Sequence, residues 1–290
     1  MNSPTLAVLI TCHNRRNKTL DCLHQVDAQN IPCDIYLVDD GSSDGTAEAV
    51  RTHYPSVKVF EGNGNLFWVG GMHWAFSEAM TVGYDYYLWL NDDTVIEPDT
   101  FDRLIATHAQ LSQRGYPDSI IVGSTRDAET GQLTYGGRIR PSRWRRLRFD
   151  LLEPGDEPRE CETLNGNCVL IPDTVAAKVG NLDNKFVHGR GDLDYGLRAR
   201  LHGGSVWIAP GYIGSCSRNP FQNSWKDTDL SLVERWRKAT RVKGGLYPRE
   251  WTCFARRYGG GLWWLYWLSP YVRLLASSVF KNLEYRSQQR

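Results

Sequence analysis

Residues 6–15 read Leu-Ala-Val-Leu-Ile-Thr-Cys-His-Asn-Arg, an apolar run that ends in a polar cluster. Such a run predicts a buried strand, and the polar residues predict a loop at its carboxyl end. The same arrangement returns at 38–42 (Val-Asp-Asp-Gly-Ser) and at 90–93 (Leu-Asn-Asp-Asp). Because the carboxyl ends of parallel strands meet at one edge of a sheet, we expect the three polar clusters to share one ligand-binding edge.

Helical patterns separate the apolar runs along the chain. We predict strands at 6–10, 35–38, 57–60, 86–90 and 120–123, and helices at 17–28, 44–53 and 98–113. This alternation is typical of βαβ units, and it predicts an α/β fold with a mostly parallel, Rossmann-like sheet flanked by helices. Further along we predict a Gly- and Arg-rich hairpin or loop at 132–148, a strand at 163–171, a helix that ends near 202 and a strand at 206–209.

Composition and charge exclude several classes of protein. With 41% hydrophobic and 23% charged residues, the 290-residue chain is neither intrinsically disordered nor collagen-like. Residues 1–100 hold 5 basic and 14 acidic side chains, whereas the remainder holds 29 and 19. The near-neutral total gives no overall field for nucleic acid, and we expect no nucleic-acid partner. The basic run 138–148 keeps such binding as an alternative, although no recognised reading motif accompanies it.

The cysteines and the first residues indicate the compartment. Seven cysteines without a Cys-x-x-Cys pair predict neither a disulfide framework nor a zinc site, and they favour a reducing environment. No basic region precedes the first apolar run, so we expect no secretory signal. The expected location is the cytoplasm. The turn after the first apolar run contains no glycine, which disfavours a nicotinamide-dependent oxidoreductase.

The last 75 residues differ in kind, with six tryptophans among lysines and arginines between 225 and 267. Residues 259–280 are mostly apolar, but Pro270 and Arg273 interrupt them, so the run falls short of the ~20 apolar residues of a spanning helix. One interpretation is an amphipathic helix on an anionic membrane surface, and the other is packing on the preceding domain or on a second copy in a homodimer. The first interpretation uses Leu268, Val272, Leu275 and Val279, with Arg273, Lys281 and Arg286 nearby.

Carboxylates supply the candidate chemistry at the strand ends. Asp92 and Asp93 follow a nearly continuous apolar strand, where hard oxygen ligands suit Mg²⁺ or Mn²⁺ bound to a diphosphate. A capped turn before Pro98 is the alternative. Asp39 and Asp40 suit hydrogen bonds to a nucleobase or ribose, and equally to the amides of their own loop.

A further carboxylate stands at a predicted helix start. Residues 188–198 read His-Gly-Arg-Gly-Asp-Leu-Asp-Tyr-Gly-Leu-Arg, and the helix dipole there keeps Asp192 ionised. An ionised carboxylate at a ligand-binding edge is a candidate general base. His188 is a second polar candidate near it in sequence, whereas Asp194 and Arg198 are spaced to pair along the helix.

The ordered set of motifs resembles the family 2 glycosyltransferases of GT-A fold, over roughly residues 5–215. The motifs are residues 8–15, 38–42, 90–93 and 191–194 with Arg198. Residues 63–76 resemble the segment that approaches the sugar nucleotide in rhamnosyltransferase-like members. The resemblance implies an inverting, metal-dependent enzyme that transfers a sugar from a UDP- or dTDP-linked donor to a saccharide hydroxyl. With the amphipathic tail, it implies a lipid-linked acceptor and surface-polysaccharide synthesis of O-antigen type, peripheral to the inner face of the cell membrane.

The resemblance also implies a role for each candidate residue. Contacts to the nucleotide sugar would come from Thr11, Asn14, Arg15, Asp39, Asp40, Asn65, Gly70, Gly71 and Asp92. The Mg²⁺ or Mn²⁺ would be held by Asp93 and Asp92, and the base would be Asp192. Contacts to the acceptor would come from His188, Arg190 and Trp207.

The chain departs from the family pattern at three positions. Asn91 stands where the family often has an aspartate, which leaves Asp93 as the expected direct metal ligand. Gly191 replaces an acidic residue that often precedes the base, and no histidine follows His202 to approach the metal. A separate alternative is a non-catalytic relative that binds a nucleotide sugar, and Asp192→Asn would distinguish it from an enzyme.

The expected domain organisation follows from the same motifs. We assign residues 1–215 to one glycosyltransferase domain, with a nucleotide-sugar half at 1–130 and an acceptor half at 131–215. Residues 216–290 are assigned to a helical extension rich in aromatic and basic side chains.

Overall fold

The architecture comes from a computed structural model that describes residues 4–218 and 222–288, with only the helical backbone described for 278–288. Its strands are β1 (Leu6–Cys12), β2 (Asp34–Asp39), β3 (Lys58–Glu61), β4 (Tyr86–Leu90), β5 (Val95–Ile96), β6 (Ser119–Arg126), β7 (Leu133–Tyr135), β8 (Gly137–Ile139), β9 (Asp150–Leu151), β10 (Arg159–Cys161), β11 (Thr163–Leu164), β12 (Cys168–Pro172) and β13 (Ser205–Ser215). Its α-helices are α1 (Arg16–Asp27), α2 (Thr46–His53), α3 (Phe67–Val82), α4 (Thr100–Gln113), α5 (Asp173–Val179), α6 (Gly191–Leu201), α7 (Leu232–Thr240), α8 (Pro248–Tyr258) and α9 (Trp263–Gln288).

The main sheet has ten strands in the order β10-β13-β6-β12-β4-β1-β2-β3, with β5 paired to β13 and β7 paired to β6. Strands β1 to β4 run parallel to one another, and β6 runs parallel to β13. Strand β12 is antiparallel to both β4 and β6, so those two strands point the same way. Six strands therefore share one direction, which confirms the predicted α/β class and brings their carboxyl ends to one edge.

Strand β1 lies at the centre of the core, and all seven of its residues are buried. On one face, Val8 and Ile10 join a hydrophobic cluster with Leu23 of α1 and Leu104 of α4. Helix α3 packs against the same strand. A strand enclosed in this way needs apolar residues at successive positions, which explains the continuous apolar run in the sequence.

Helix α3 is absent from the helices that the sequence predicts. Its buried residues include Val69, Met72, Phe76 and Ala79, which recur with a helical period. Gly70 and Gly71 lie within this pattern, and two adjacent glycines ordinarily indicate a loop, so the sequence does not predict the helix. Gly71 allows the helix to approach β1, because a Cβ at this position would lie 2.1 Å from the Thr11 Oγ1.

The predicted strand at 163–171 is wrong as a single element, because the chain forms two strands there. Strand β11 joins a three-stranded sheet with β8 and β9, whereas β12 lies inside the main sheet. Residues 165–167, Asn-Gly-Asn, turn the chain between them, and the Asn165 amide donates to the Gly136 carbonyl at 2.9 Å. The predicted hairpin or loop at 132–148 contains β7 and β8.

The chain divides into two compact units. The first contains residues 1–139, 149–184 and 191–218, and the second contains 140–148, 185–190 and 219–290. In the second unit, the buried Glu250 carboxylate of α8 accepts hydrogen bonds from the backbone amides of Val187, His188 and Gly189. The Trp251 Nε1 donates to the Trp267 carbonyl at 2.9 Å and joins α8 to α9.

Helix α9 carries an exposed apolar row. It contains Trp264, Leu268, Val272 and Leu275. The predicted residues Val279, Lys281 and Arg286 lie outside the part of the chain whose side chains are described. Among the described helices, α9 included, none has the length and hydropathy to span a membrane.

Candidate active site

The three polar clusters adjoin at the carboxyl edge of the sheet, because β1 lies between β2 and β4. Arg15 bridges the first cluster and the third: its Nη1 lies 3.0 Å from the Asp92 Oδ1 and 2.7 Å from the Asp93 Oδ2. The Asn14 amide donates to the Ser42 hydroxyl at 2.8 Å and joins the first cluster to the second. The structure thus brings together three segments that are far apart in sequence.

Asp92 and Asp93 differ in their environment. The Asp92 side chain is 4% exposed and that of Asp93 is 23% exposed. Burial raises the pKa of Asp92 to about 6, against the opposing effect of the Arg15 charge. Asp93 is therefore the more accessible carboxylate, and Asp92 is enclosed behind it.

The carboxylates of the second cluster hold backbone amides. The Asp39 Oδ1 accepts a hydrogen bond from the Ser42 amide at 3.0 Å. The two oxygens of Asp40 accept from the amides of Gly64 and Phe67, each at 2.8 Å. Asp40 therefore orders the loop before α3 and the first residue of that helix, which is the loop-amide alternative left open by the sequence.

The other predicted nucleotide-sugar residues shape the same edge. Asn14 has a φ of 52°, and its Oδ1 accepts from the Ser43 amide at 2.8 Å. Thr11 is buried against Gly71, as described above. Gly70 faces Leu66 of the same helical turn, and Asn65 is exposed in the loop before α3.

A loop at 165–167 links the Asn91-Asp92-Asp93 cluster to α6. The Asn91 amide donates to the Asn167 carbonyl at 2.9 Å. The Trp68 Nε1 donates to the Asn91 Oδ1 at 2.7 Å, so this neutral residue anchors an indole. A Cβ on Gly166 would lie 2.4 Å from the Trp68 ring and 3.4 Å from the Asp192 Cβ, which places Gly166 between them.

Asp192 is the second residue of α6 and lies beside this loop. Its Oδ2 accepts from the Gly166 amide at 3.2 Å, and its Oδ1 accepts from the Leu193 amide at 2.7 Å. Burial raises the pKa of Asp192, while these amides and the charge of Arg138 act in the opposite direction. The Arg138 Nε donates to the Asn165 Oδ1 at 2.8 Å. Arg138 and the 165–167 loop thus orient the carboxylate of Asp192. Gly191 stands before it in place of the acidic residue that the family often has there.

Two side chains near Asp93 were not identified from the sequence. The Cys216 Sγ, just beyond β13, lies 3.8 Å from the Asp93 Oδ1. Burial raises the pKa of Cys216 to about 11, so its thiol is neutral at pH 7. Burial, together with the charge of Asp93, also raises the pKa of Tyr135. Neither residue has a carboxylate next to it in the sequence that would signal it.

The carboxylate pair fits one mode of divalent-metal binding. Among the described residues, no cluster of three or more His, Cys, Asp and Glu side chains could hold a metal. Mg²⁺ is commonly held by one or two carboxylates, with substrate phosphates and water completing its shell. Asp93, backed by Asp92, offers that ligand set, and Arg15 adds a cation suited to a diphosphate.

The predicted acceptor residues are not all brought to this edge. Trp207 pairs with Ile121 near the amino ends of β13 and β6, whereas Asp93 lies at the carboxyl edge. Trp207 packs against Tyr116 with ring centroids 5.3 Å apart. His188 and Arg190 belong to the second unit, where burial lowers the pKa of His188 to about 4.

The predicted pair on α6 is confirmed. The Arg198 Nε lies 2.8 Å from the Asp194 Oδ2, and Asp194 is fully buried. Arg198 also donates to the carbonyls of Val179 and Asn181. The pair therefore holds α6 in place, which is a structural role.

Comparison with known sequences identifies related proteins. The family model described as "Glycosyl transferase family 2" matches residues 7–169. The chain is 24% identical over 257 residues to N-acetylglucosaminyl-diphospho-decaprenol L-rhamnosyltransferase of Mycobacterium tuberculosis (strain ATCC 25618 / H37Rv), covering 76% of this chain and 82% of that protein. It is 23% identical over 115 residues to 4,4'-diaponeurosporenoate glycosyltransferase of Staphylococcus aureus (strain bovine RF122 / ET3-1), covering 39% of this chain and 31% of that protein.

Solved structures share the fold. The mannosyltransferase PcManGT from Pyrobaculum calidifontis, in complex with GDP-Man and Mn²⁺, matches with a TM-score of 0.54 and 12% identity, covering 83% of this chain and 64% of that one. GalNAc-T7 with UDP, GalNAc and Mn²⁺ matches with a TM-score of 0.57 and 17% identity, covering 76% of this chain and 45% of that one. This chain thus spans less than two thirds of either structure. With the family match over more than half of its length, the chain belongs to glycosyl transferase family 2 and is a glycosyltransferase of GT-A fold.

Proposed function

We propose that the protein transfers a sugar, with inversion, from a UDP- or dTDP-linked donor to a hydroxyl of a lipid-linked saccharide. The observation that carries this proposal is the placement of Asp192. Its carboxylate is held by the Gly166 amide, and the same loop is hydrogen-bonded to the Asn91-Asp92-Asp93 segment through the Asn167 carbonyl. A loop of three residues, 165–167, therefore links the proposed base to the proposed diphosphate-binding edge.

The proposed reaction is a single displacement. Asp192 accepts the proton of the acceptor hydroxyl while the hydroxyl oxygen attacks the anomeric carbon of the donor. The bond from that carbon to the diphosphate breaks, and the electron pair leaves with the diphosphate. Attack from the face opposite the leaving group inverts the anomeric centre. Arg15 lies beside Asp93, where its charge would meet the departing diphosphate.

Mg²⁺ or Mn²⁺ is the proposed cofactor, held by Asp93 with Asp92 behind it. When bound, the ion supplies positive charge for the leaving diphosphate. Mn²⁺ in the two solved relatives supports a divalent ion in general. The residues proposed to border the nucleotide sugar are Asp39, Thr11, Asn14, Asn65, Gly70 and Gly71. Asp40 holds the loop before α3, which contains Asn65.

The acceptor and location are proposed from two observations. The name of the mycobacterial relative specifies a diphospho-decaprenol acceptor. Helix α9 exposes an apolar row that fits the boundary of an anionic membrane. We therefore propose surface-polysaccharide synthesis of O-antigen type, peripheral to the inner face of the cell membrane.

A panel of nucleotide sugars with Mg²⁺ or Mn²⁺ tests the donor and the metal together. We expect one donor to raise the melting temperature of the wild type only when metal is present, since ligands that bind the folded state stabilise it. Asp93→Ala should lose this shift, and Asp99→Ala, an exposed carboxylate with 60% side-chain exposure, should keep it. If no donor raises the melting temperature with either metal, the proposed donor site is wrong.

A further inference from the structure

The second unit contains a cavity of about 610 Å³ that is open to solvent. Segment 140–148 contributes Trp144, Arg145, Leu147 and Arg148, and helix α9 contributes Leu265, Tyr266, Ser269, Pro270 and Arg273. The remaining lining residues are Arg190, Trp225, Leu246 and Trp251. Among the residues that the structure describes, the lining carries four arginines and no carboxylate.

Contacts within the unit build the walls of this cavity. The Arg190 guanidinium lies 4.5 Å from the centre of the Trp251 ring and 5.8 Å from that of Phe254. A guanidinium stacked in this way is held against the aromatic wall of the cavity. On the opposite wall, the Tyr266 hydroxyl donates to the Trp144 carbonyl at 2.8 Å and ties segment 140–148 to α9.

Helix α9 presents two adjoining faces. The residues that line the cavity, from Leu265 through Ser269 to Arg273, recur every four positions. The exposed apolar row, from Trp264 through Leu268 to Val272, recurs with the same period one residue earlier. At 100° per residue the two rows lie side by side. A cationic, aromatic-walled cavity therefore borders an exposed apolar stripe.

We propose that this cavity binds the phosphate or diphosphate head of a polyisoprenyl-linked acceptor. The arginines match the anionic head, which they contact by charge-assisted hydrogen bonds. The tryptophans and the α9 stripe match the apolar chain that follows the head. The acceptor chemistry rests on the proposed function, whereas the cavity and its lining do not.

Titration of the full chain with farnesyl diphosphate, followed by tryptophan fluorescence, tests this site. Arg145 and Arg273 are exposed, so Arg145→Gln/Arg273→Gln removes charge without disturbing the core. The matched control Arg237→Gln/Arg249→Gln changes two exposed arginines outside the lining. We expect the first variant to bind farnesyl diphosphate at least ~10-fold more weakly than the wild type, and the control to bind it equally well. Farnesol and inorganic diphosphate, each lacking one half of the ligand, should also bind at least ~10-fold more weakly than farnesyl diphosphate.

Two results would overturn the site. One is equal affinity for farnesyl diphosphate in wild type and the Arg145→Gln/Arg273→Gln variant. Another is affinity for inorganic diphosphate as high as for farnesyl diphosphate, which would indicate a free-anion site. If the first result comes with loss of binding of the Arg145→Gln/Arg273→Gln variant to phosphatidylglycerol vesicles, the two arginines contact a membrane surface instead. The metal-dependent donor shift measured on the same variant reports separately on the proposed function.

Discussion

Opposing effects act on the pKa of Asp192, and the Arg138 side chain contributes one of them. Burial raises the pKa of its carboxyl, and the Leu193 amide, the Arg138 charge and the Gly166 amide lower it. A base must be ionised, so turnover falls as the pH drops through this raised pKa. The acidic limb of the pH profile should therefore lie above the ordinary value of 3.8 for an aspartate.

Arg138→Gln tests this balance. Without the guanidinium charge, the ionised form of Asp192 is less favoured and its pKa rises further. We expect the acidic limb of kcat to move to higher pH, measured with the donor found in the nucleotide-sugar panel. Arg114→Gln, which changes an exposed arginine paired with Glu157, should leave the limb in place. An unchanged limb in Arg138→Gln would mean that the limb reports another group.

Helix α3 depends on the close approach that Gly71 permits. A Cβ at Gly71 would overlap the Thr11 Oγ1 at 2.1 Å, whereas a Cβ at Gly70 would meet the Leu66 Cβ at 3.2 Å within the helix's own first turn. The two glycines are adjacent in sequence, yet only Gly71 faces the sheet. They therefore form a matched pair for substitution.

We expect Gly71→Ala to reduce the free energy of unfolding by about 1–3 kcal/mol, because it overpacks the β1–α3 contact. Gly70→Ala should be close to neutral, since alanine favours helix and Leu66 can adjust. Urea denaturation of both variants measures the difference. The double variant Thr11→Ala/Gly71→Ala should lose less than the sum of its single changes. Equal effects of the two glycine changes would contradict this packing.

The elements that the sequence predicts well are those with local signals. The strands at 6–10 and 86–90 are continuous apolar runs, and the structure places β1 and β4 there. Helix α3 was missed because its glycines serve a contact with a distant strand. The candidate carboxylates could be found because each follows a strand or begins a helix. Arg138, Trp68, Gly166 and Cys216 could not be found, because only folding brings them beside Asn91, Asp93 and Asp192.

The whole molecule combines an acidic first part with a basic second part. The second unit gathers the arginine-rich segment 140–148 and the C-terminal helices, although residues 149–231 lie between them in the sequence. Segment 185–190 belongs to it as well, held by the buried Glu250. The stability of the second unit should consequently depend on titratable groups in segment 185–190.

His188 makes this response measurable as a function of pH. Burial, with the charge of Lys243, lowers the pKa of His188 from 6.5 to about 4. Between these values the unfolded chain takes up a proton that the folded chain does not, so stability falls as the pH drops from about 6.5 to about 4. Denaturation of His188→Asn should show a smaller decrease over this range than the wild type. Parallel curves for the two proteins would contradict the shift.

Asp192→Asn, assayed for both transfer and donor binding, is the most direct test of the proposed catalytic base. The substitution keeps the shape of the side chain and removes its ability to accept the proton. We expect turnover to fall ~10²-fold or more while the metal-dependent donor shift in melting temperature remains, because the donor edge is formed by other residues. Asp156→Asn, at an exposed position, serves as the control and should keep both properties. Turnover within a few-fold of wild type in Asp192→Asn would contradict the assignment of Asp192 as the base.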